Sequence, residues 1–110
     1  MTQLPRQDEV WLVALDPTRG AEIRKTRPCL VVSPDEMNHH LQTILVAPMT
    51  TTVRGYPTRV AVRFQSKSGQ IALDQLRALD RQRLVRKLGK ISEATAREVS
   101  FTLTEMFRRE

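Results

Sequence analysis

Arg27 and Thr50 are placed where side chains of their types could act on a phosphate. Arg27 lies directly before a proline, in Thr26-Arg27-Pro28, at the mouth of an apolar run. Proline biases the preceding residue toward extended backbone, which helps fix the direction of the arginine side chain. An arginine so held grips a carboxylate for structural reasons or faces a phosphate with its planar fork of donors. Thr50 ends the next apolar run, in Ala47-Pro48-Met49-Thr50-Thr51-Thr52. Its hydroxyl can cap a turn or donate to a phosphate oxygen. A loop, Leu15-Asp16-Pro17-Thr18-Arg19-Gly20-Ala21-Glu22, adds a carboxylate. Taken singly, each residue fits a structural role better than a chemical one.

Other constellations give less. His39 and His40 are adjacent. In a strand they point to opposite faces, and in a helix they stand about 100 degrees apart. No partner at metal-ligand spacing surrounds them, so they read as a surface loop, and the sequence calls for no metal and no cofactor. Cys29 is the single cysteine, which excludes an internal disulfide and a cysteine cluster. It sits in an apolar strand and reads as a small buried core residue. The sequence has no glycine-rich phosphate loop, serine elbow or zinc-binding helix motif.

The elements that must position Arg27 and Thr50 are short strands. Val10–Leu15, Cys29–Val32, Thr43–Ala47 and Val60–Phe64 are apolar or β-branched runs. Ser66-Lys67-Ser68-Gly69 reads as a turn, and Ile71, Leu73 and Leu76 resume the pattern over Gly69–Leu79. Short strands with Pro, Gly and Ser punctuation predict a mainly β fold, a small barrel or sandwich. Met49–Thr58 reads as a loop around Gly55-Tyr56-Pro57. A short helical turn is expected over Asp35–Asn38, with Ser33 as cap and Pro34 at the first helical position. The period then changes. Ser92 is a candidate N-cap, and Ala96, Val99, Leu103, Met106 and Phe107 share one face of a C-terminal amphipathic helix. That face is expected against the barrel or a second subunit. No linker or repeat interrupts residues 1–110, which read as one domain.

Composition bounds the function. The chain has 110 residues, 40% hydrophobic and 27% charged, with a net charge of +6. That supports one core, and no apolar run approaches the roughly 18 residues of a membrane span. With no secretory signal visible, a cytoplasmic location is expected. Basic and acidic side chains balance over residues 1–55, so the whole excess lies in residues 56–110, densest from Arg77 to Lys90. A basic surface attracts nucleic acid or an acidic protein, and it also serves simply as a solvated face. Aromatic residues are only 5%, poor material for a single-strand stacking platform.

Taken together, the segments resemble the MazF/PemK (Kid) toxins of type II toxin–antitoxin systems, from about Glu9 to the C-terminus. The resemblance is carried by Glu9-Val10-Trp11-Leu12-Val13, Leu15-Asp16-Pro17-Thr18 with Gly20-Ala21-Glu22, and Thr26-Arg27-Pro28 with Val31-Val32-Ser33-Pro34. Pro48-Met49-Thr50-Thr51, Gly55-Tyr56-Pro57 and Ile71-Ala72-Leu73-Asp74-Gln75-Leu76-Arg77 complete it. It implies an SH3-like β-barrel with a C-terminal helix, forming a homodimer. It also implies a metal-independent, sequence-specific endoribonuclease that cuts single-stranded messenger RNA. There the ribose 2′-hydroxyl attacks the phosphodiester, leaving a 2′,3′-cyclic phosphate and a 5′-hydroxyl.

Arg27 and Thr50 match the family's active-site arginine and threonine, and Glu22 is the candidate base. Arg24, Lys25, Thr51, Arg54, Asp74, Gln75 and Arg77 are candidate RNA contacts. Two departures from the PemK/Kid branch stand out. Ala21 replaces its histidine before the loop glutamate, and Ala72 replaces its arginine before the Asp-Gln pair. The site is therefore expected to be of the MazF type. The resemblance further implies an antitoxin partner with an acidic, disordered segment. Two alternatives stay open at this point: a gyrase-inhibiting toxin of the same barrel (CcdB-like), and a plain SH3-like binding module.

Overall fold

The computed structural model describes residues 4–15, 20 and 25–110. Seven strands and two helices follow in the order β1 (Glu9–Ala14), β2 (Thr26–Val31), α1 (Asp35–His40), β3 (Thr43–Thr50), β4 (Arg59–Phe64), β5 (Lys67–Ala72), β6 (Arg77–Asp80), β7 (Leu84–Lys90) and α2 (Glu93–Met106). All pairings are antiparallel. The strands run β4-β5-β3-β2-β1-β7, with β6 also paired to β3. This is the mainly β fold with a C-terminal helix that the short runs and the C-terminal change of period predicted.

The continuous apolar runs are explained by burial on both faces. One core cluster holds Val10, Leu30, Ala47, Met49, Val60, Ile71, Leu73, Ile91 and Val99. The other holds Trp11, Val13, Leu15, Cys29, Val31, Ile44, Val46, Leu79 and Leu84. Successive residues of β1, β2 and β3 thus feed opposite clusters, as the two-residue period of a strand requires. Cys29 is fully buried, and burial pushes its thiol up to about 12 although the Arg27 and Arg77 charges pull it down.

β3 is longer than expected, continuing through Pro48 to Thr50. Its first half pairs with β6, over Thr43–Val46, and its last two residues pair with β5. Pro48 stands between these two partners, where the ladder on that edge changes hands. β2 likewise begins at Thr26 and takes in Pro28. The turn joining β4 and β5 is tighter than the expected Ser66–Gly69. Gln65 and Ser66 both have positive φ, 50° and 66°, between the paired Phe64 and Lys67. That is the conformation of a two-residue hairpin turn whose twist matches the strands.

Three further expectations are corrected. His39 and His40 close α1 rather than lying in a loop. The Ser33 hydroxyl does not cap α1. It bonds to Asn38 Oδ1 at 2.5 Å and accepts from the Leu45 N–H, while Pro34 takes the cap position. Phe107 is 69% exposed at the end of α2, where the helix has already closed, so it does not join the packed face. Val99 is buried in the first cluster, with Ala96, Leu103 and Met106 packed against it. Ser92 caps α2, its Oγ accepting from the Thr95 N–H. No helix among the described residues is long and apolar enough to cross a membrane.

Glu9 ties β1 to β7. It is buried, accepts from Trp11 Nε1 at 3.0 Å and from the Arg6 N–H, and pairs with Lys87 at 2.9 Å. Burial pushes its carboxyl up, but the bonds from Trp11, Lys87 and Arg6 together outweigh this and hold it below the usual value of 4.5. A carboxyl lowered by folding stabilises the protein above its unfolded value, and that stability drains away as pH falls through the folded one. Melting temperature should therefore fall as pH drops below about 5. Glu9→Gln should flatten part of that slope, with Asp74 and Asp80, also lowered, supplying the rest. An unchanged slope in thermal melts of the variant would refute the assignment.

Candidate active site

The β2–β3 register sets Cys29 across from Pro48 and Val31 across from Val46. That ladder ends at Cys29 and Pro48, two residues short of Arg27 on β2 and of Thr50 on β3. On the other edge of β3, Thr50 pairs with Gln70 of β5. Opposed residues share a face. Thr50 and Gln70 therefore share a face, and Arg27 stands on the neighbouring strand β2. They line one cavity of about 230 Å³, with Met49, Val62 and Phe64 among its apolar walls. Thr51, Lys67 and Gly69 also border it.

Arg27 is half-buried and lines the cavity. The Thr50 hydroxyl accepts from the Thr52 N–H at 3.1 Å. Its own O–H hydrogen is left to rotate toward a ligand oxygen. The two sequence readings of Thr50, turn cap and phosphate donor, are thus compatible. An arginine and a threonine lining one small cavity suit an anionic, tetrahedral group.

The remaining candidates are dispersed. Thr51 borders the same cavity. Arg54 lies in the β3–β4 loop, its backbone held by Gln70. Asp74 is engaged by Arg59 at 2.7 Å and by the Thr58 hydroxyl at 3.1 Å. Burial raises its carboxyl, but Arg59 and Thr58, with its own backbone N–H, hold it below the usual range. Gln75 lies half-buried in the 3-10 turn Leu73–Gln75. Arg77 donates to the Leu15 carbonyl at 3.2 Å. Lys25, exposed with φ 73°, precedes β2. Glu22 and Arg24 fall outside the described residues.

The basic stretch from Arg77 to Lys90 is less of a free surface than its composition suggested. Arg81 is buried and donates to the Asn38 and Leu41 carbonyls. Arg83 donates to the Ala14 carbonyl at 3.3 Å, and Lys87 is paired with Glu9. The stretch contains β7, an edge strand that sequence reading passed over. Its lysines and arginines discourage pairing with another sheet. Sequence reading also passed over Gln70 and Arg59. A glycine beside Gln70, inside a strand, was the available signal, since strand glycines mark close backbone approach.

Comparison with known proteins agrees with this fold. The family model for PemK-like, MazF-like toxins of type II toxin–antitoxin systems matches residues 6–107. The chain is 33% identical over 99 residues to Endoribonuclease MazF9 of Mycobacterium tuberculosis, covering 81% of this chain and 84% of that one. Among solved structures it is similar to MazF from Deinococcus radiodurans, with TM-score 0.83, 27% identity, and 94% and 96% of the two chains covered. A crystal structure of MazE–MazF from the same organism matches with TM-score 0.77, also at 27% identity and the same coverage. With nearly its whole length matched by that family model, on a fold that brings Arg27 and Thr50 to one cavity, the chain belongs to the PemK-like, MazF-like toxins of type II toxin–antitoxin systems.

Proposed function

We propose that this toxin is an endoribonuclease, with residues 1–110 acting as one domain, and that it cuts single-stranded messenger RNA in the cytoplasm without a metal. The observation that carries the reading is that Arg27 of β2 and Thr50 of β3 line one cavity. Cleavage forms a bond from the ribose 2′-oxygen to phosphorus and breaks the bond to the 5′-oxygen. The proton leaves the 2′-hydroxyl for a base, and another reaches the departing 5′-oxygen. Charge gathers on the non-bridging oxygens as the phosphorane forms. Preorganised donors at those oxygens lower the barrier most.

Arg27 supplies two parallel donors and a full positive charge. Thr50 donates its O–H to a third position. Glu22 remains the candidate base. The similarity to Endoribonuclease MazF9 supports the activity, and the MazE–MazF structure supports a cognate antitoxin. The antitoxin is proposed to lay an acidic, disordered segment on this basic chain, and the working unit is proposed to be a homodimer. Folding of a disordered acidic segment on a basic surface is driven by charge complementarity.

The test is incubation of the purified protein with long single-stranded RNAs in EDTA, followed by mapping of the ends. Discrete cuts with 5′-hydroxyl ends are expected. A folded protein that cuts none of several diverse RNAs would overturn the reading and point to a binding toxin such as a gyrase poison.

A further inference from the structure

We propose that Gln70 is a positioning residue that sets which RNA sequences are cut, by holding the β3–β4 loop in one shape beside Arg27 and Thr50. The proposal rests on the RNA-cleavage reading above, and the loop clamp itself is visible without it. Residues 51–57 are exposed throughout and follow Thr50 directly. A seven-residue exposed loop of this kind carries large conformational freedom unless something ties its crest.

The crest is Arg54. Its N–H donates to Gln70 Oε1 at 3.0 Å, and Gln70 Nε2 donates to its carbonyl at 3.0 Å. One planar carboxamide thus meets both polar groups of one backbone residue, as a neighbouring strand would. Gln70 is itself fixed. It is paired with Thr50 on one side and Ala61 on the other, and its Oε1 also accepts from Arg59 Nη1 at 3.3 Å.

Arg59 carries the restraint to the far foot of the loop. Its side chain is only 5% exposed, it is clamped by both Asp74 oxygens, and it lies 5.2 Å from the centre of the Tyr56 ring. Asp74 also takes the Thr58 hydroxyl. Asp74, Arg59 and Gln70 therefore tie the crest and the far foot of the loop to β5 and the turn after it. In this arrangement Asp74 acts on substrate through Arg59.

The tethered loop exposes Thr51, Thr52, Arg54 and Tyr56, with the apolar Val53 among them. Hydroxyls, a guanidinium and a phenol ring are the groups that hydrogen-bond and stack on unpaired bases. The ligand class is thus the nucleobases flanking the cut phosphate. A loop held in one shape discriminates among them, whereas a loose one accepts more sequences and binds each less well.

The experiment compares wild type, Gln70→Ala and the near-isosteric Gln70→Glu, which keeps the acceptor and loses the donor. Three readouts are taken: amide exchange at Arg54, the cut motif on a randomised RNA pool, and kcat and KM on the wild type's preferred RNA. In Gln70→Ala, exchange at Arg54 is expected to accelerate about tenfold or more. The cut motif should broaden, and KM should rise about tenfold while kcat falls less than about threefold. Gln70→Glu should lie between, and it carries the test if the alanine variant does not fold.

Unchanged exchange at Arg54 in a folded variant overturns the clamp. Faster exchange with the motif intact overturns the specificity role, as does a loss confined to kcat. A wild-type protein that cuts no RNA overturns the cleavage reading and the specificity role with it. The exchange data alone then uphold or overturn the clamp.

Discussion

Arg27→Ala is expected to reduce RNA cleavage by about a thousandfold or more while the protein still folds. The magnitude follows from removing one preorganised donor at an oxyanion, which alone costs about 10²–10³ in rate, and from removing a full charge besides. The fold should survive because Arg27 belongs to neither apolar cluster and occupies the open end of β2. Arg27→Lys sharpens the test. It keeps the charge but loses the fork, so it should recover only a minor part of the rate. Rates are measured on one defined RNA at saturating concentration, with a thermal melt of each variant alongside. Wild-type cleavage by folded Arg27→Ala would remove this residue from the chemistry.

Gly69→Ala is expected to damage both stability and cleavage. A β-carbon at residue 69 would lie 2.4 Å from the Thr50 carbonyl oxygen and 3.2 Å from the Thr50 carbonyl carbon. Those neighbours are backbone, held in the β3–β5 ladder, so they cannot swing aside as a side chain would. The strands must part, at a cost of about 1–3 kcal/mol. For a chain of this size that is a melting temperature lower by roughly 4–8 °C per kcal/mol. The displaced atom belongs to Thr50, which lines the same cavity as Arg27. A shift near 1 Å at such a position costs on the order of a hundredfold in rate. Gly55→Ala is the control for stability, because a β-carbon there meets nothing within 4 Å. Equal melts and equal rates for the Gly69 variant and wild type would contradict the close approach.

Much of this arrangement was legible in the residues. Val10–Leu15 and Cys29–Val32 read as strands because burial on both faces leaves an unbroken apolar run. Ser92 with the spacing from Ala96 to Met106 gave α2, since capping and period are local properties. Arg27 and Thr50 stood out by sequence position, but their meeting at one cavity depends on how β2 and β3 pair, which no local pattern states.

β7 was missed for a physical reason. Its ladder with β1 shifts register twice, between Val10 and Trp11 and between Leu12 and Val13. Such irregularities break the two-residue alternation that sequence reading depends on. What remained visible was its charge. Phe107 was over-read for the opposite reason, as period continues past the point where a helix stops. Gln70 and Arg59 were invisible because their partners, the Arg54 backbone and Asp74, lie about fifteen residues away along the chain.

The burial of Cys29 has a practical corollary. With its thiol near 12, essentially none of it is thiolate at neutral pH, and the thiolate is the reactive form. Peroxide and alkylating reagents should therefore pass the folded protein by, so oxidative stress would not silence it through this sulfur. The same inertness makes the lone thiol a clock. Its modification requires β2 to part from β1 and β3, the strands that flank it. Pulse labelling would then time the opening of the very strand that carries Arg27, with no RNA in the tube.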